Sequence, residues 1–213
     1  MTTGNDTMPR SGAQSTETGK GISTLDMVYI ALCAVLIAVC SWISIPAPVP
    51  FTLQTFAVFL VLGILGGRRG TVSILVYILT GLIGAPVFSG FKGGPAVILG
   101  PTGGYIVGFL LSGLLYWGIM RDAGRKKRDS ADSTRGSRIR LWAQIGASAA
   151  GLAVCYLFGT VWFYIVYLNQ TGPVSVWTVL GWCVFPFILP DAAKIALAVF
   201  LSGKIRRIAH IRD

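Results

Sequence analysis

The sequence predicts an all-α, polytopic membrane protein with six transmembrane helices and both termini in the cytoplasm. Of its 213 residues, 54% are hydrophobic and only 12% are charged, whereas a soluble domain carries about 25% charged residues. The mean hydropathy is +0.70. The apolar residues form runs long enough for membrane helices, since about 20 helical residues cross a hydrocarbon core of about 30 Å. Together these observations exclude a disordered chain, an ordinary soluble enzyme and a disulfide-stapled secreted domain.

The predicted organisation is a disordered cytoplasmic tail, residues 1–26, followed by a membrane domain over residues 27–208. The tail is polar and rich in Thr, Ser and Gly, a composition that buries too little apolar surface to fold. The predicted spans of the membrane domain are 27–45, 51–67, 71–84, 103–120, 141–168 and 190–207.

The first three spans are separated by residues that interrupt helices. The first span is uncharged and ends where three prolines between positions 46 and 50 prevent its continuation. The second ends in the Gly-Gly-Arg-Arg-Gly segment that begins at Gly66. The third is short and rich in glycine at its end, near Gly84.

The fourth span leads into a basic cytoplasmic loop, residues 121–140. Residues 141–190 then carry no charge, a run too long for one crossing of the bilayer. The prediction therefore places a loop at 169–189 between the fifth and sixth spans. An alternative starts the sixth span near Val176 and lets the prolines that follow kink it.

The distribution of positive charge sets the predicted orientation. Sixteen of the eighteen Lys and Arg residues lie in segments that this topology puts on the same side as the termini. The opposite side receives one, Lys92. Because cytoplasmic loops carry an excess of Lys and Arg, the termini are predicted to be cytoplasmic. The net charge of +10 thus reflects membrane topology, and nucleic acid is not an expected partner.

Several kinds of chemistry lack the residues they need. The four cysteines lie in or beside apolar runs without CxxC spacing, and the single histidine, His210, lies in the basic tail. A zinc site therefore has too few ligands. The sequence shows no Walker A motif for ATP hydrolysis and no nucleophile–base constellation. We expect no metal, no cofactor and no enzymatic activity in this chain.

One pair of charges stands out within the apolar sequence. Asp191 and Lys194 are the only charged residues between Arg140 and Lys204. Residues three apart share a helix face, and charges within membranes usually face a cavity or each other because a lone charge is costly in hydrocarbon. The pair is predicted to bind a ligand; the alternative is a self-satisfied ion pair that caps the helix.

The loops opposite the termini supply further candidate residues. Thr52 and Gln54 are two apart, so they share a face in an extended segment, and Gln54 offers both a donor and an acceptor. The glycine-rich segments 84–94 and 100–105 let backbone approach a ligand closely. The aromatic residues near these loops provide an apolar wall: Phe51, Phe88, Phe91 and Tyr105. Alternatively, Thr52 caps the second helix and the glycines only form turns.

Four sequence motifs contain most of these candidate residues and point to one protein family. They are Pro48-Val-Pro-Phe-Thr-Leu-Gln54, Gly84-Ala-Pro-Val-Phe88, Gly100-Pro-Thr-Gly-Gly-Tyr105 and Pro190-Asp-Ala-Ala-Lys194. In order and spacing they resemble the BioY family of biotin transport proteins, the substrate-binding membrane subunits of energy-coupling-factor transporters. The resemblance covers residues 27–208. It implies a six-helix protein of the bacterial cytoplasmic membrane that binds biotin from outside with high affinity.

The resemblance also implies roles for individual residues. The family's Asp-x-x-Lys pair, which contacts biotin, corresponds to Asp191 and Lys194. Tyr105 and the backbone near Gly93 correspond to the pocket lining, and Gln54 is the matching position in the first loop. The sequence departs from the family pattern at Leu189-Pro190-Asp191, which has no glycine where the family often reads Pro-Gly-Asp before the lysine of the pair. It departs again at Lys92, which either meets the valerate carboxylate of biotin or only faces water.

The family further implies three partner chains, namely a transmembrane coupling subunit and two ATP-binding subunits. Ala31, Ala34 and Ala38 form a small-residue stripe on the first helix, which permits close approach of another helix. Family members use such a face to dock the coupling subunit; packing within the chain is the alternative. A competing function is a self-sufficient, ion-coupled carrier, although no convincing inverted repeat of the kind such carriers contain is visible.

Overall fold

The computed structural model describes residues 23–47, 49–128 and 133–209. Helices dominate these residues, and a two-residue antiparallel hairpin of β1 and β2 is the only sheet within them. The elements are α1 (Thr24–Trp42), β1 (Ser44–Ile45), β2 (Phe51–Thr52), α2 (Gln54–Leu82), α3 (Pro95–Leu99), α4 (Gly103–Arg128), α5 (Ser133–Thr171), α6 (Val176–Cys183) and α7 (Phe185–Ala209). The predicted all-α class is therefore confirmed.

Helix α2 is a hairpin of two helical arms, residues 54–65 and 67–82, which reverse at Gly66. Gly66 has φ 80° and ψ 172°, a combination open essentially to glycine alone. Gln54 Nε2 at the start of the first arm donates to Tyr77 Oη in the second at 3.1 Å. In a straight helix these residues would be about 35 Å apart at about 1.5 Å per residue. The two arms therefore lie side by side.

Five helical segments of the described chain are long and apolar enough to span a membrane, the last comprising α6 and α7 together. Because α2 reverses at Gly66, its two arms correspond to the second and third predicted spans. With the arms counted separately the bundle has six passes. Which end faces the cytoplasm stays a prediction from the charge distribution.

The helix boundaries differ from the predicted ones at both ends of the chain. The predicted tail, residues 1–26, lies outside the described residues up to position 22. Helix α1 begins at Thr24 because Ser23 and Asp26 form a capping box, in which the backbone N–H of Ser23 donates to Asp26 Oδ2 at 3.3 Å. The last three residues of the predicted tail are therefore already helical.

The two longest predicted loops are largely helical. Helix α4 continues to Arg128 and α5 already begins at Ser133, because Arg and Lys are good helix formers and the helices continue beyond their apolar windows. Within the predicted loop 169–189, Gly172 ends α5 with φ 99°, and α6 and the start of α7 follow. The alternative start near Val176 is closer to the structure, with Pro190 inside α7.

Helix α2 forms the centre of the bundle. Its apolar window is 72% buried, whereas that of α5 is 22% buried and leaves much of its surface at the periphery. The arms of α2 pack against α1, α4 and α7, and α5 packs along α4. Side-chain hydrogen bonds join the helices as well, such as that from Gln144 Nε2 to Ser202 Oγ at 2.8 Å. The core therefore surrounds α2, and both ends of the α2 hairpin contribute to cavities.

Replacing Gly66 with alanine is expected to lower the free energy of unfolding by about 1–3 kcal/mol, because alanine is strained in this backbone conformation. Heat or denaturant unfolding of the detergent-purified protein measures the change. The matched control is Gly118→Ala in α4, where an added Cβ meets open space. Equal stability of the two variants would show that the hairpin does not depend on the glycine conformation.

Candidate ligand-binding site

A cavity of about 310 Å³ lies at the end of the bundle where the β1–β2 hairpin and the loop before α3 are found. This volume is at the small end of the range for ligand pockets, roughly 300–1,000 Å³. Its lining is mainly apolar with several polar groups, and its residues come from separate parts of the chain. The lining residues are Ala47, Val49, Pro50, Thr52, Gln54, Thr55, Tyr77, Phe88, Ser89, Lys92, Val97, Pro101, Thr102, Tyr105, Ile106, Phe109, Leu152, Cys155, Tyr156, Cys183, Phe187, Asp191 and Lys194.

The Asp191–Lys194 pair lies on the cavity wall, on one face of α7. Asp191 is 2% exposed, and Lys194 Nζ donates to its Oδ1 at 2.8 Å. Lys194 Nζ also donates to the carbonyl oxygen of Thr52 at 2.7 Å and lies 3.9 Å from the centroid of the Phe51 ring. That last contact is a cation–π interaction. The pair thus joins α7 to the β2 segment.

Tyr156 of α5 holds the other oxygen of the carboxylate. Its hydroxyl donates to Asp191 Oδ2 at 2.6 Å, a short bond of the charge-assisted kind. A carboxylate has about four acceptor positions and an ammonium has three donors. The contacts found here use two positions on Asp191 and two donors on Lys194. The pair is therefore stabilised within the chain, as the alternative proposed, and retains capacity for a ligand.

Gln54 and Thr52 enter the cavity from the start of α2. Gln54 is buried, and its side chain is oriented by the bond to Tyr77 described above. Thr52 Oγ1 accepts from the backbone N–H of Gln54 at 3.3 Å, so it satisfies an N–H at the helix start while also lining the cavity. Thr52 thus lines the cavity, whereas the N-cap position of α2 belongs to Leu53.

Phe88 forms part of the wall and is almost fully buried. Its ring makes an edge contact with Tyr77, at 5.6 Å between centroids. The ring lies directly over Gly81, where any Cβ would overlap it. Backbone bonds pair Phe88 with Lys92, at 2.9 Å and 3.3 Å, and the Lys92 side chain is exposed at the cavity rim. A tight loop thus presents one aromatic and one basic residue to the same cavity.

Phe91 and Gly93 of the same loop do not line the cavity. Phe91 is 65% exposed and stacks on Trp42, with the ring centroids 5.1 Å apart. Gly93 packs its Cα against the carbonyl oxygen of Ala85, where a side chain would clash. The structure therefore does not place these two predicted residues at the site, because the turn directs Phe88 inward and Phe91 toward α1.

Tyr105 lines the cavity from the first turn of α4. Its hydroxyl lies 3.0 Å from Thr160 Oγ1 of α5, so the ring is fixed between these two helices. Of the predicted substrate-binding residues, seven line the cavity: Thr52, Gln54, Phe88, Lys92, Tyr105, Asp191 and Lys194.

Tyr156 and Tyr77 are the main cavity residues that sequence reasoning missed. Both lie within apolar spans, where an aromatic side chain carries no distinguishing charge or spacing. The signal that they do offer is chemical: a buried tyrosine hydroxyl usually finds a hydrogen-bond partner. For Tyr156, the carboxylate of Asp191 is that partner.

The predicted alanine stripe on α1 is mostly internal. Ala34 is 7% exposed and Ala38 is 5% exposed, both within the core, whereas Ala31 is exposed. Packing within the chain therefore accounts for two of the three alanines. The outer face of α1 presents large apolar residues instead: Leu25, Met27, Val28, Leu32, Val35 and Val39.

The fold and the cavity together define a class: a polytopic, helical membrane protein with a small, apolar-walled pocket and a buried charge pair. Known proteins are similar to this chain in sequence and in fold. A model described as the BioY family matches residues 12–210. The chain belongs to the BioY family.

Similar proteins include the Biotin transporter BioY of Thermotoga maritima, 35% identical over 185 residues that cover 85% of this chain and 96% of that protein. The Probable biotin transporter BioY of Pyrococcus horikoshii is 37% identical over 183 residues, again 85% and 96% of the two chains. The fold is similar to a 2.1 Å crystal structure of the S-component for biotin from an ECF-type ABC transporter. The TM-score is 0.69 at 25% identity, over 86% of this chain and 91% of the other.

Proposed function

We propose that this chain binds biotin from outside the cell with high affinity and serves as the substrate-binding subunit of an energy-coupling-factor transporter in the bacterial cytoplasmic membrane. The observation that carries the proposal is the Asp191–Lys194 pair, bonded to Tyr156, on the wall of the 310 Å³ cavity. In support, two relatives that are 35% and 37% identical over 85% of this chain are named as a biotin transporter and a probable biotin transporter.

The polar groups of the cavity suit the ureido ring of biotin. That ring offers two N–H donors and one carbonyl acceptor, and Asp191 retains acceptor positions while Lys194 retains a donor. The fused sulfur ring and the aliphatic chain are apolar, and they match the aromatic walls at Phe88, Phe109 and Phe187. We place the ureido ring at the charge pair and the valerate chain toward Lys92.

The Lys92→Gln variant is expected to weaken biotin binding by up to about fivefold, the size of a solvent-exposed ion pair. The amide of biotin, which lacks the carboxylate, should bind both forms of the protein equally. Calorimetric titration of both ligands measures the difference. Lys204→Gln is the matched control, since Lys204 is an exposed lysine that does not line the cavity. Equal losses for biotin and its amide would place the carboxylate elsewhere.

The proposed partners are a transmembrane coupling subunit and two ATP-binding subunits, which would supply the energy for uptake. Support comes from the similar crystal structure, which is described as an S-component of an ECF-type ABC transporter, and from the lack of a Walker A motif in this sequence. Because Ala34 and Ala38 are largely buried, we do not assign the docking surface to the alanine stripe.

Uptake of labelled biotin in cells without other biotin transporters tests this assignment. We expect efficient uptake when the chain is produced together with coupling and ATP-binding subunits, and loss of uptake when the ATP-binding subunits are inactivated. The competing carrier function predicts a different result. Uptake by the chain alone that disappears when the proton gradient is collapsed would favour the self-sufficient carrier.

A further inference from the structure

A second cavity, of about 650 Å³, lies at the opposite end of the bundle beside the reversal at Gly66. It is lined by residues from the start of α1, the α2 hairpin, the end of α4, α5 and α7. Its charged lining residues are Arg68, Arg69, Arg121, Arg140, Arg206 and Asp26. We propose that this cavity binds an anionic phospholipid through its phosphate group.

The arginines converge because the fold fixes the segments that carry them. Arg69 Nε lies 3.2 Å from Asp26 Oδ1, which ties the α2 hairpin to α1. Arg206 Nε donates to the carbonyl oxygen of Ile64 at 2.8 Å, which ties α7 to the same hairpin. These contacts hold two of the guanidinium groups at the cavity wall, so part of the positive lining is formed before any ligand arrives.

Two further arginines supply charge that the described residues do not neutralise. Arg68 and Arg121 are exposed, and within the described part of the chain their side chains make no ion pair or hydrogen bond. They extend from α2 and α4, so they flank the cavity from two helices. A planar guanidinium matches phosphate oxygens in a bidentate manner, and the positive charge of Arg68 and Arg121 at the cavity favours an anion.

The remaining lining favours a lipid over free phosphate. Ile30, Leu65, Val72 and Met120 give the cavity an apolar side next to its arginines, and Trp117 adds an aromatic side chain. Tryptophan is enriched at membrane–water interfaces. The cavity lies at the ends of several membrane-spanning helices, where basic pockets between helices bind phospholipid head groups. An amphiphilic ligand such as a phospholipid would contact the arginines with its phosphate and the apolar side with its acyl chains.

Lipid titration of the detergent-purified full chain tests the proposal. Phosphatidylglycerol should raise the melting temperature in a saturable manner, and phosphatidylcholine and inorganic phosphate should not. The double variant Arg68→Gln/Arg121→Gln should weaken apparent phosphatidylglycerol binding roughly ten- to thirtyfold. The matched control Arg125→Gln/Arg138→Gln removes the same charge from exposed arginines outside the cavity and should retain wild-type binding.

Native mass spectrometry of the wild-type protein provides a measurement that does not depend on the variants; it should show phosphatidylglycerol retained in preference to phosphatidylcholine. Any of four results would overturn the proposal. Equal effects of the two lipids, or equal losses in both double variants, would show only general charge attraction. Inorganic phosphate that reproduces the full shift would make free phosphate the ligand. If the Arg68→Gln/Arg121→Gln variant bound lipid as the wild type does but no longer co-purified with the coupling subunit, the cavity would be a docking site for a protein.

Discussion

The Asp191→Asn variant is expected to weaken biotin binding by roughly a hundredfold or more. The substitution removes the charged acceptor proposed for the ureido N–H groups, and hydrogen bonds to charged groups contribute about 1.5–3 kcal/mol each. It also leaves Lys194 without its carboxylate partner at 2.8 Å. Calorimetric titration of the purified variant measures the loss. Asp122→Asn, which changes an exposed aspartate on α4, is the matched control and should bind as the wild type does.

A second variant separates binding from folding, because breaking a buried pair by removing one partner destabilises by about 3–5 kcal/mol. The double variant Asp191→Asn/Lys194→Met removes both charges and leaves neither unpaired. It should recover most of the stability that the single variant loses, and its biotin binding should stay lost. Wild-type affinity in the stable double variant would show that the pair serves the fold alone.

Tyr156→Phe is expected to weaken biotin binding by about ten- to hundredfold, the effect of one hydrogen bond to a charged group. The tyrosine hydroxyl donates to Asp191 Oδ2 at 2.6 Å, so its removal frees the carboxylate to turn away from the proposed ureido position. Affinity and melting temperature are measured together on the same preparation, so a loss of binding can be compared with any loss of stability.

The control for this prediction is Tyr164→Phe, two turns further along α5 and outside the cavity lining. It changes the same chemical group on the same helix and should leave affinity unchanged. If both tyrosine variants bound biotin equally well, the carboxylate would not depend on Tyr156 for its orientation, and the proposed geometry of the charge pair would need revision.

The sequence predicted the candidate site best at its charged residues, because a charged side chain is costly to place in a membrane. Asp191 and Lys194 were recognisable because two charges three residues apart in an apolar run have few structural explanations. Gln54 and Thr52 followed from their motif before α2, and the structure brings all four to one cavity. Tyr156 was missed because its role depends on the packing of α5 beside α7, which no local pattern in an apolar helix reveals.

Other differences arise from tertiary contacts. Phe88 and Phe91 are three apart in one glycine-rich loop, and no local pattern distinguishes the two residues. Only the contact with Trp42 places Phe91 outside the cavity. The break at Gly66 was predictable, since glycines and arginines interrupt the apolar run there. The same turn also contributes to an arginine-lined cavity, which could be recognised only from the positions of α4, α5 and α7 in the structure.

The proposed function is tested most directly by calorimetric titration of biotin into the purified protein, with desthiobiotin and lipoate as comparison ligands. Desthiobiotin retains the ureido ring, whereas lipoate has a similar acid chain and no ureido group. We predict nanomolar binding of biotin, weaker binding of desthiobiotin and no binding of lipoate. An absence of heat with biotin from folded protein, or equal binding of lipoate, would contradict a cavity in which the Asp191–Lys194 pair recognises the ureido ring.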